Sequence, residues 1–285
     1  MARLYVVATP IGNLEDITLR ALRVLKEVGL IACEDTRHTA RLLQEHAIRT
    51  PTTSYFEHNE REKTPVILNA LRAGTDVALV SDAGTPGISD PGYRLVREAR
   101  AAGIEVVPVP GPSAAVAALS VCGLATDRFF FEGFLPPRAG ARQRRLQELL
   151  GIAETLVFYE SPLRVAGALA DMRAVLGDRE AFLCREATKI HEEYRRGPLS
   201  EIAAALAERE RVRGEVVLVV AGAPSGATAD ASSVAVLFAR LAAEGQSTRS
   251  AVKEIARLTG LPAREVYARV LESKEEGAAE EGNDA

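Results

Sequence analysis

The sequence predicts an α/β protein made of two α/β domains and a small C-terminal helical module. Three observations predict it. The chain has 285 residues, 47% of them hydrophobic, which is too much for one small core. Apolar runs of strand length alternate with stretches of helical periodicity from residue 3, and the alternation restarts after "PGPSAAVAALSVCGL". Three short amphipathic stretches then close the chain. The expected boundaries are an N-terminal α/β domain over 1–112, a C-terminal α/β domain over 113–223, a linker over 224–233, a helix-turn-helix-like module over 234–272 and a disordered acidic tail over 273–285.

In the first half, "RLYVVA" (3–8) reads as a buried strand. "LEDITLRALRVLKEV" (14–28) puts Leu14, Ile17, Ala21, Leu22, Leu25 and Val28 on one helical face, with Asn13 as N-cap and Gly29 as stop. "LIAC" (30–33) is a strand, "RHTARLLQEH" a helix and "TTSYF" (52–56) a strand. "PVILNALRAG" (65–74) is a helix with Pro65 in its first turn. "DVALVS", "GYRLVREARAAG" and "IEVVPV" (104–109) complete a largely parallel sheet. In the second half the strands are "RFFFEGF" (128–134), "ETLVFYE" (154–160), "AFLCRE" (181–186) and "GEVVLVVAG" (214–222), with "RQRRLQELLG", "PLRVAGALADMRAVLG" and "LSEIAAALAERE" as helices. "GAPSGATADASS" reads as the linker, and Gly245 and "GLP" (260–262) divide the three closing helices.

The net charge of −4 argues only weakly against a nucleic-acid partner. Residues 272–285 hold six acids and one lysine, so the rest of the chain is close to neutral and slightly positive. Arginine greatly outnumbers lysine, which suits phosphate contacts and equally suits a GC-rich genome. No run reaches the ~18 apolar residues of a membrane span, and "MARLYVVATP" lacks the pattern of a signal peptide. Cys33, Cys122 and Cys184 are far apart with no metal-ligand spacing. The expectation is a cytoplasmic protein with reduced thiols, no membrane partner and no metal.

In open α/β sheets, ligands sit beyond the carboxyl ends of the strands. Five loops lie there in the first half: "TPIGNLED", "EDTRHT", "EHNERE", "SDAGTPGISDPG" and "PGPSA". The fourth holds three glycines, two prolines, two aspartates and two serines in twelve residues, more than a turn requires. It lacks the Lys-Ser/Thr of a phosphate loop, and no G-x-G-x-x-G follows the first strand, so a dinucleotide or nucleoside triphosphate is not favoured. Gly84, Gly87 and Gly92 allow positive φ and close approach. Ser81 and Asp82 offer a hydroxyl and a carboxylate to a small zwitterion or a ribose, whereas Ser89 or Asp90 is read as a cap for the next helix.

"VATPIGNLEDIT", "EDTRHT", "SDAGTPGISDPG", "VPGPSA", "FYESPLR" and "REATKIHEE", in this order, resemble the ribosomal RNA small subunit methyltransferase I family, the cytidine 2′-O-methyltransferases of the tetrapyrrole methylase superfamily. The resemblance runs from about residue 3 to 222 and extends to the C-terminal module. The family motif usually reads "RELTK"; Ala187 is a small departure that puts no role in doubt. The resemblance implies two α/β domains with S-adenosylmethionine in the cleft between them, the 2′-hydroxyl of a cytidine in the decoding region of small-subunit rRNA as acceptor, and a homodimer. Carried over by position, it implies cofactor contacts from Pro10, Ser81, Asp82, Ala83, Gly84, Thr85, Ile88, Ser113 and Ala114. From the "YESP" and "REATK" segments it implies Tyr159, Ser161 and Ala187.

Methyl transfer from a sulfonium needs an aligned acceptor and a route for its proton, but no metal. Lys189 and Glu186 are the first candidates beside the acceptor, and Glu34 and Asp35 the second. Lys189 acts as a base only if burial lowers its pKa; otherwise it stabilises an alkoxide. For RNA phosphates, either free or in the assembled small subunit, the candidates are Arg37, Arg164 and the cluster Arg138, Arg142, Arg144 and Arg145; a solvated helix face is the alternative for that cluster. His38, His46 and His58 receive no role. Arg249, Lys253, Arg257, Arg264 and Arg269 bias the C-terminal module mildly positive, and Tyr267 alone is a poor basis for base stacking. Methylation of a tetrapyrrole, diphthine synthesis and a non-enzymatic RNA-binding role are the rival readings. The first two do not call for "EDTRHT" or the arginine cluster; the last leaves the Ser81–Gly92 loop without a purpose.

Overall fold

The structure, a computed structural model, describes residues 2–209, 211–224, 234, 237–238, 241–242, 245–259 and 261–271, with backbone alone for 257–259. The expected tail over 273–285, and all of the expected linker except Pro224, lie outside the described residues.

Five strands, β1 (Arg3–Val7), β2 (Leu30–Cys33), β3 (Thr52–Ser54), β4 (Val77–Val80) and β5 (Glu105–Val109), form one sheet in the order β3-β2-β4-β1-β5. Every pairing is parallel. Such a sheet must be covered on both faces, which explains why β4 is buried at all four positions. Helices α1 (Leu19–Glu27) and α2 (Thr36–Glu45) cover one face, where Ala21, Leu25 and Leu42 meet Val7, Ile31 and Val80. Helices α3 (Glu60–Arg72) and α4 (Tyr93–Ala101) cover the other through Ile67, Leu71 and Leu95.

The second sheet, β6 (Phe129–Phe134), β7 (Thr155–Glu160), β8 (Glu180–Arg185), β9 (Glu193–Pro198) and β10 (Val216–Val220), has the order β6-β7-β10-β8-β9. Only β6 and β7 are parallel; the other pairings are antiparallel. Helices α6 (Ala139–Leu149), α7 (Val165–Leu176) and α8 (Leu199–Ala207) pack on one face. Helix α5 (Ala114–Val121) packs on the other, with Ala118 and Leu119 against Val157 and Val219. The three thiols are buried and unpaired.

Several elements differ from the sequence reading. Helix α1 starts at Leu19, because Thr18 accepts a hydrogen bond from the Ala21 amide; Asn13 instead caps the short 3-10 turn Leu14–Asp16. Helix α3 starts five residues before Pro65, so half of "EHNERE" is helix rather than loop. Strand β9 was not anticipated: "EYRRGP" is exposed and charged because it is a sheet edge, with no second apolar face to bury. In the C-terminal module, Val234, Leu237, Ala251, Ile255, Val266 and Val270 form a separate small core around the helix Thr248–Thr259 and the helical residues 263–271.

Candidate active site

Strand order decides where the loops meet. Because β4 lies between β2 and β1, and β5 flanks β1, the segments after these four strands gather at one edge of the sheet. Thr9 and Gly84 exchange backbone hydrogen bonds at 2.9 and 3.0 Å, which ties the first loop to the fourth. Thr85 donates to the Pro112 carbonyl at 3.2 Å, tying the fourth to the fifth. The Asp82 carboxylate accepts from the Asp35 amide at 3.0 Å, tying the fourth to the second. Gly84, Gly87 and Gly92 all hold positive φ, and Ser89 joins them at +60°.

The second sheet brings its own segments to the same place. In its register, Glu160 and Arg185 flank Val216 from opposite sides, so "YESP" and "REATK" emerge together. The Asn13 amide donates to the Thr188 hydroxyl at 3.1 Å. The Tyr159 hydroxyl accepts from the Ala115 amide at 3.2 Å, holding the end of β7 against the start of α5. Gly12 sits so close to the second domain that an added Cβ would lie 2.5 Å from Lys189 Cγ and 3.0 Å from the Ala187 carbonyl. Two cavities flank residues 10–12. One of about 260 Å³ is lined by Thr9, Pro10, Ser81, Asp82, His38 and Arg41; one of about 320 Å³ by Ile11, Asp16, Gly111, Pro112, Ser113 and Thr188.

Several carboxylates of this region lack a cation. Glu34, Asp82 and Asp90 have no ion-pair partner among the described residues. Burial, with Asp82 and Glu215 nearby, pushes the Asp90 carboxyl up to about 6, although the Ser81 hydroxyl opposes this. Burial, with Asp82 and Asp90, also raises Glu34. Asp90 is therefore not a helix cap: Gly92, at φ +139°, is the N-cap of α4, and its amide donates to Glu60 at 3.0 Å. The carboxylate that the sequence reading gave to the backbone lies beside Ser81, in the cluster.

The other candidates fall on both sides. Ala83 is half-buried, Ile88 is 48% exposed, and Ser113 and Ala114 open α5. Ala187 packs on the second core, and the Ser161 amide is bound by Glu160 at 2.7 Å. Lys189 is held in its charged form. Burial disfavours its charge, but hydrogen bonds to Glu186 at 2.7 Å and Glu215 at 2.8 Å outweigh it and raise its pKa. Glu186 is lowered in turn, because Lys189 and the Glu215 amide overcome its burial. Asp35 caps α2 and pairs with Arg37 at 2.8 Å, and the Arg37 hydrogen bonds hold it at about 2.

Arg142 is 7% exposed and bound to Asp171, so its guanidinium is held inside the fold rather than offered to a phosphate. Arg145 is committed to Glu132 and Glu148, and Arg164 to the buried Glu160. Arg138 and Arg144 are exposed without an ion pair among the described residues. The sequence reading missed Arg41 and His38, which line the 260 Å³ cavity; their position on the first turns of α2, directly after "ED", was the available signal.

S-adenosylmethionine carries a sulfonium and an ammonium, and Asp82 in the cavity wall, with Glu34 and Asp90 close to it, fits such a cation-bearing group. Among the described residues, no group of three His, Cys, Asp or Glu side chains is placed to hold a metal ion, and no helix is long and apolar enough to cross a membrane.

Residues 3–203 match the family of tetrapyrrole (corrin/porphyrin) methylases, and residues 228–274 match the RsmI C-terminal HTH domain. Solved structures share the fold. Uroporphyrin-III-C-methyltransferase from Thermus thermophilus superposes with a TM-score of 0.57 at 23% identity, covering 78% of this chain and 94% of that one. A diphthine synthase does so at 0.59 and 14%, covering 78% and 90%. The chain is thus an S-adenosylmethionine-dependent methyltransferase of the tetrapyrrole methylase fold. Sequence narrows the class. The Pseudomonas aeruginosa protein named ribosomal RNA small subunit methyltransferase I is 50% identical, covering 94% of this chain and 96% of that protein. Those of Mesorhizobium japonicum and Synechocystis are 48% and 46% identical, covering 98% and 97% of this chain and 95% and 100% of theirs. The chain belongs to the ribosomal RNA small subunit methyltransferase I family.

Proposed function

We propose that the chain transfers the methyl group of S-adenosylmethionine to the 2′-hydroxyl of a cytidine in small-subunit rRNA. The observation that carries this reading is the match to relatives of that name over most of the chain, joined to a cavity that Asp82 lines at the carboxyl ends of the strands. When bound, the cofactor supplies an electrophilic methyl on a positively charged sulfur. Pro10, Ser81–Thr85, Ile88, Ser113, Ala114, Tyr159, Ser161 and Ala187 would hold it, with the Asp82 carboxylate available to its positive charge. Asp90, beside Ser81 and Asp82 with its carboxyl pushed up by burial, is the group assigned to take the proton of the acceptor hydroxyl, and Glu34 is the second carboxyl raised beside it. Lys189 remains a cation fixed between Glu186 and Glu215 and stabilises developing negative charge. Arg41 and His38 line the same cavity as Asp82, and the exposed Arg37 precedes them on α2; these cations would meet the RNA backbone. The protein works in the cytoplasm, where its substrate is made, as a homodimer.

The test offers methyl-labelled S-adenosylmethionine and small ribosomal subunits from cells lacking this protein, followed by digestion to nucleosides. Label in 2′-O-methylcytidine supports the reading. Cofactor binding without RNA labelling moves a tetrapyrrole or another acceptor ahead.

A further inference from the structure

The C-terminal module carries a groove that the methyl-transfer site does not use. It measures about 780 Å³, within the about 300–1,000 Å³ of pockets that take small molecules or nucleotide-sized groups. Arg249 and Lys253 line one wall, one turn apart on the helix Thr248–Thr259; Arg264, Tyr267 and Leu271 line the other, on the helical residues 263–271. All three cations are exposed, and none has an ion-pair partner among the described residues. No acidic side chain lines the groove, since Glu265 is turned to Arg269 at 2.7 Å. Tyr267 and Leu271 keep 48% and 43% of their surface exposed although large apolar groups favour burial. The sequence alone discounted Tyr267 as isolated; the fold sets it among three cations.

We propose that this groove holds a single-stranded stretch of the substrate RNA, its phosphates on Arg249, Lys253 and Arg264 and one base against Tyr267. The proposal rests on reading the chain as an rRNA methyltransferase and adds an RNA contact that the residues of the cleft do not make. Charge complementarity selects an anionic strand, and the tyrosine selects one with a flat apolar face at each repeat. The chain's own acidic residues 272–285 follow Leu271 directly and are the competing occupant, but they hold no aromatic or other large flat group to stack on the ring.

The experiment compares full-length wild type with the triple variant Arg249→Ser, Lys253→Ser, Arg264→Ser and with Tyr267→Ala. The probe is small ribosomal subunits lacking the methyl group, with binding measured across a potassium chloride series and methyl transfer measured in parallel. For the triple variant we expect a KM for subunits on the order of 10–100-fold higher, and a salt slope shallower by about 2, as loss of three single-strand phosphate contacts requires. Its kcat at saturating subunits and its affinity for S-adenosylmethionine stay unchanged. Tyr267→Ala raises KM by roughly 5–100-fold and leaves the salt slope in place. Unchanged KM and slope in the triple variant overturn the proposal. So does tighter subunit binding by the triple variant, matched by deletion of residues 273–285, which would assign the groove to the tail. If wild type transfers no methyl to RNA, the functional reading fails, while subunit binding and its salt slope still report on the groove.

Discussion

Glu34, Asp82 and Asp90 share the carboxyl edge of β2 and β4; Asp82 raises the cost of ionising Asp90, and both raise that of Glu34. Asp82 holds the Asp35 amide and faces the cleft, so its charge and its hydrogen bond must be separated. Asp82→Asn keeps an acceptor for that amide and removes the charge. It should fold normally yet bind S-adenosylmethionine at least about tenfold more weakly by calorimetry, one ion contact being worth on the order of 1.5–3 kcal/mol. Asp90 tests the acid cluster in the opposite direction. Its folded pKa of about 6 lies above the unfolded 3.8, so the folded state pays to ionise it. That penalty is absent below the unfolded value, grows as pH rises to about 6 and is complete above. Asp90→Asn should therefore stabilise the protein by about 1–3 kcal/mol at pH 8 and by nothing near pH 3.5, as read by chemical denaturation. The same variant should lose the rise of kcat/KM through about pH 6 shown by wild type, and lose on the order of 10²–10⁴ in rate. The place of Asp82 at the cavity was legible in the sequence, because a carboxylate at a strand end before a glycine-rich loop has few structural duties. Asp90 was not: Pro91 and Gly92 after it imitate a helix start, and only the fold shows the chain turning it back towards Ser81.

Helices α6 and α7 show how a cluster of arginines divides once the elements pack. Arg142 faces α7 and is bound by Asp171, which Gln143 also holds at 2.7 Å. Arg145 faces β6 through Glu132, and Arg144 faces solvent. The four arginines were indistinguishable by composition, since helical periodicity marks an inward face only when that face is apolar. Asp171→Ala strands a buried guanidinium and should cost about 3–5 kcal/mol in a melt, with KM for small subunits unchanged in the surviving folded protein. A raised KM with no loss of stability would restore Arg142 to the RNA. The strands of both sheets were legible from their apolar runs, with boundaries off by one or two residues; β9 was not, because an edge strand with charged residues carries no such run.

On the scale of the molecule, two separately built cores are joined where the loops of one meet the strand ends of the other. Gly12 is the tightest point of that joint, and the reason for glycine there is the second domain rather than its own backbone angles. Gly12→Ala should push the "REATK" segment away, cost about 1–3 kcal/mol in stability and weaken S-adenosylmethionine binding, both measurable in one titration by thermal shift. The α/β class and the restart of the alternation were readable from the sequence. The mixed second sheet was not, because strand direction depends on crossovers that apolar periodicity does not encode. The most direct test of the central claim is mass spectrometry of nucleosides from small-subunit rRNA, taken from cells that lack this protein and are complemented with wild type or Asp82→Asn. We predict that 2′-O-methylcytidine is absent without the protein, restored by wild type and strongly reduced with Asp82→Asn. An unchanged level of 2′-O-methylcytidine in the cells lacking the protein would contradict the account.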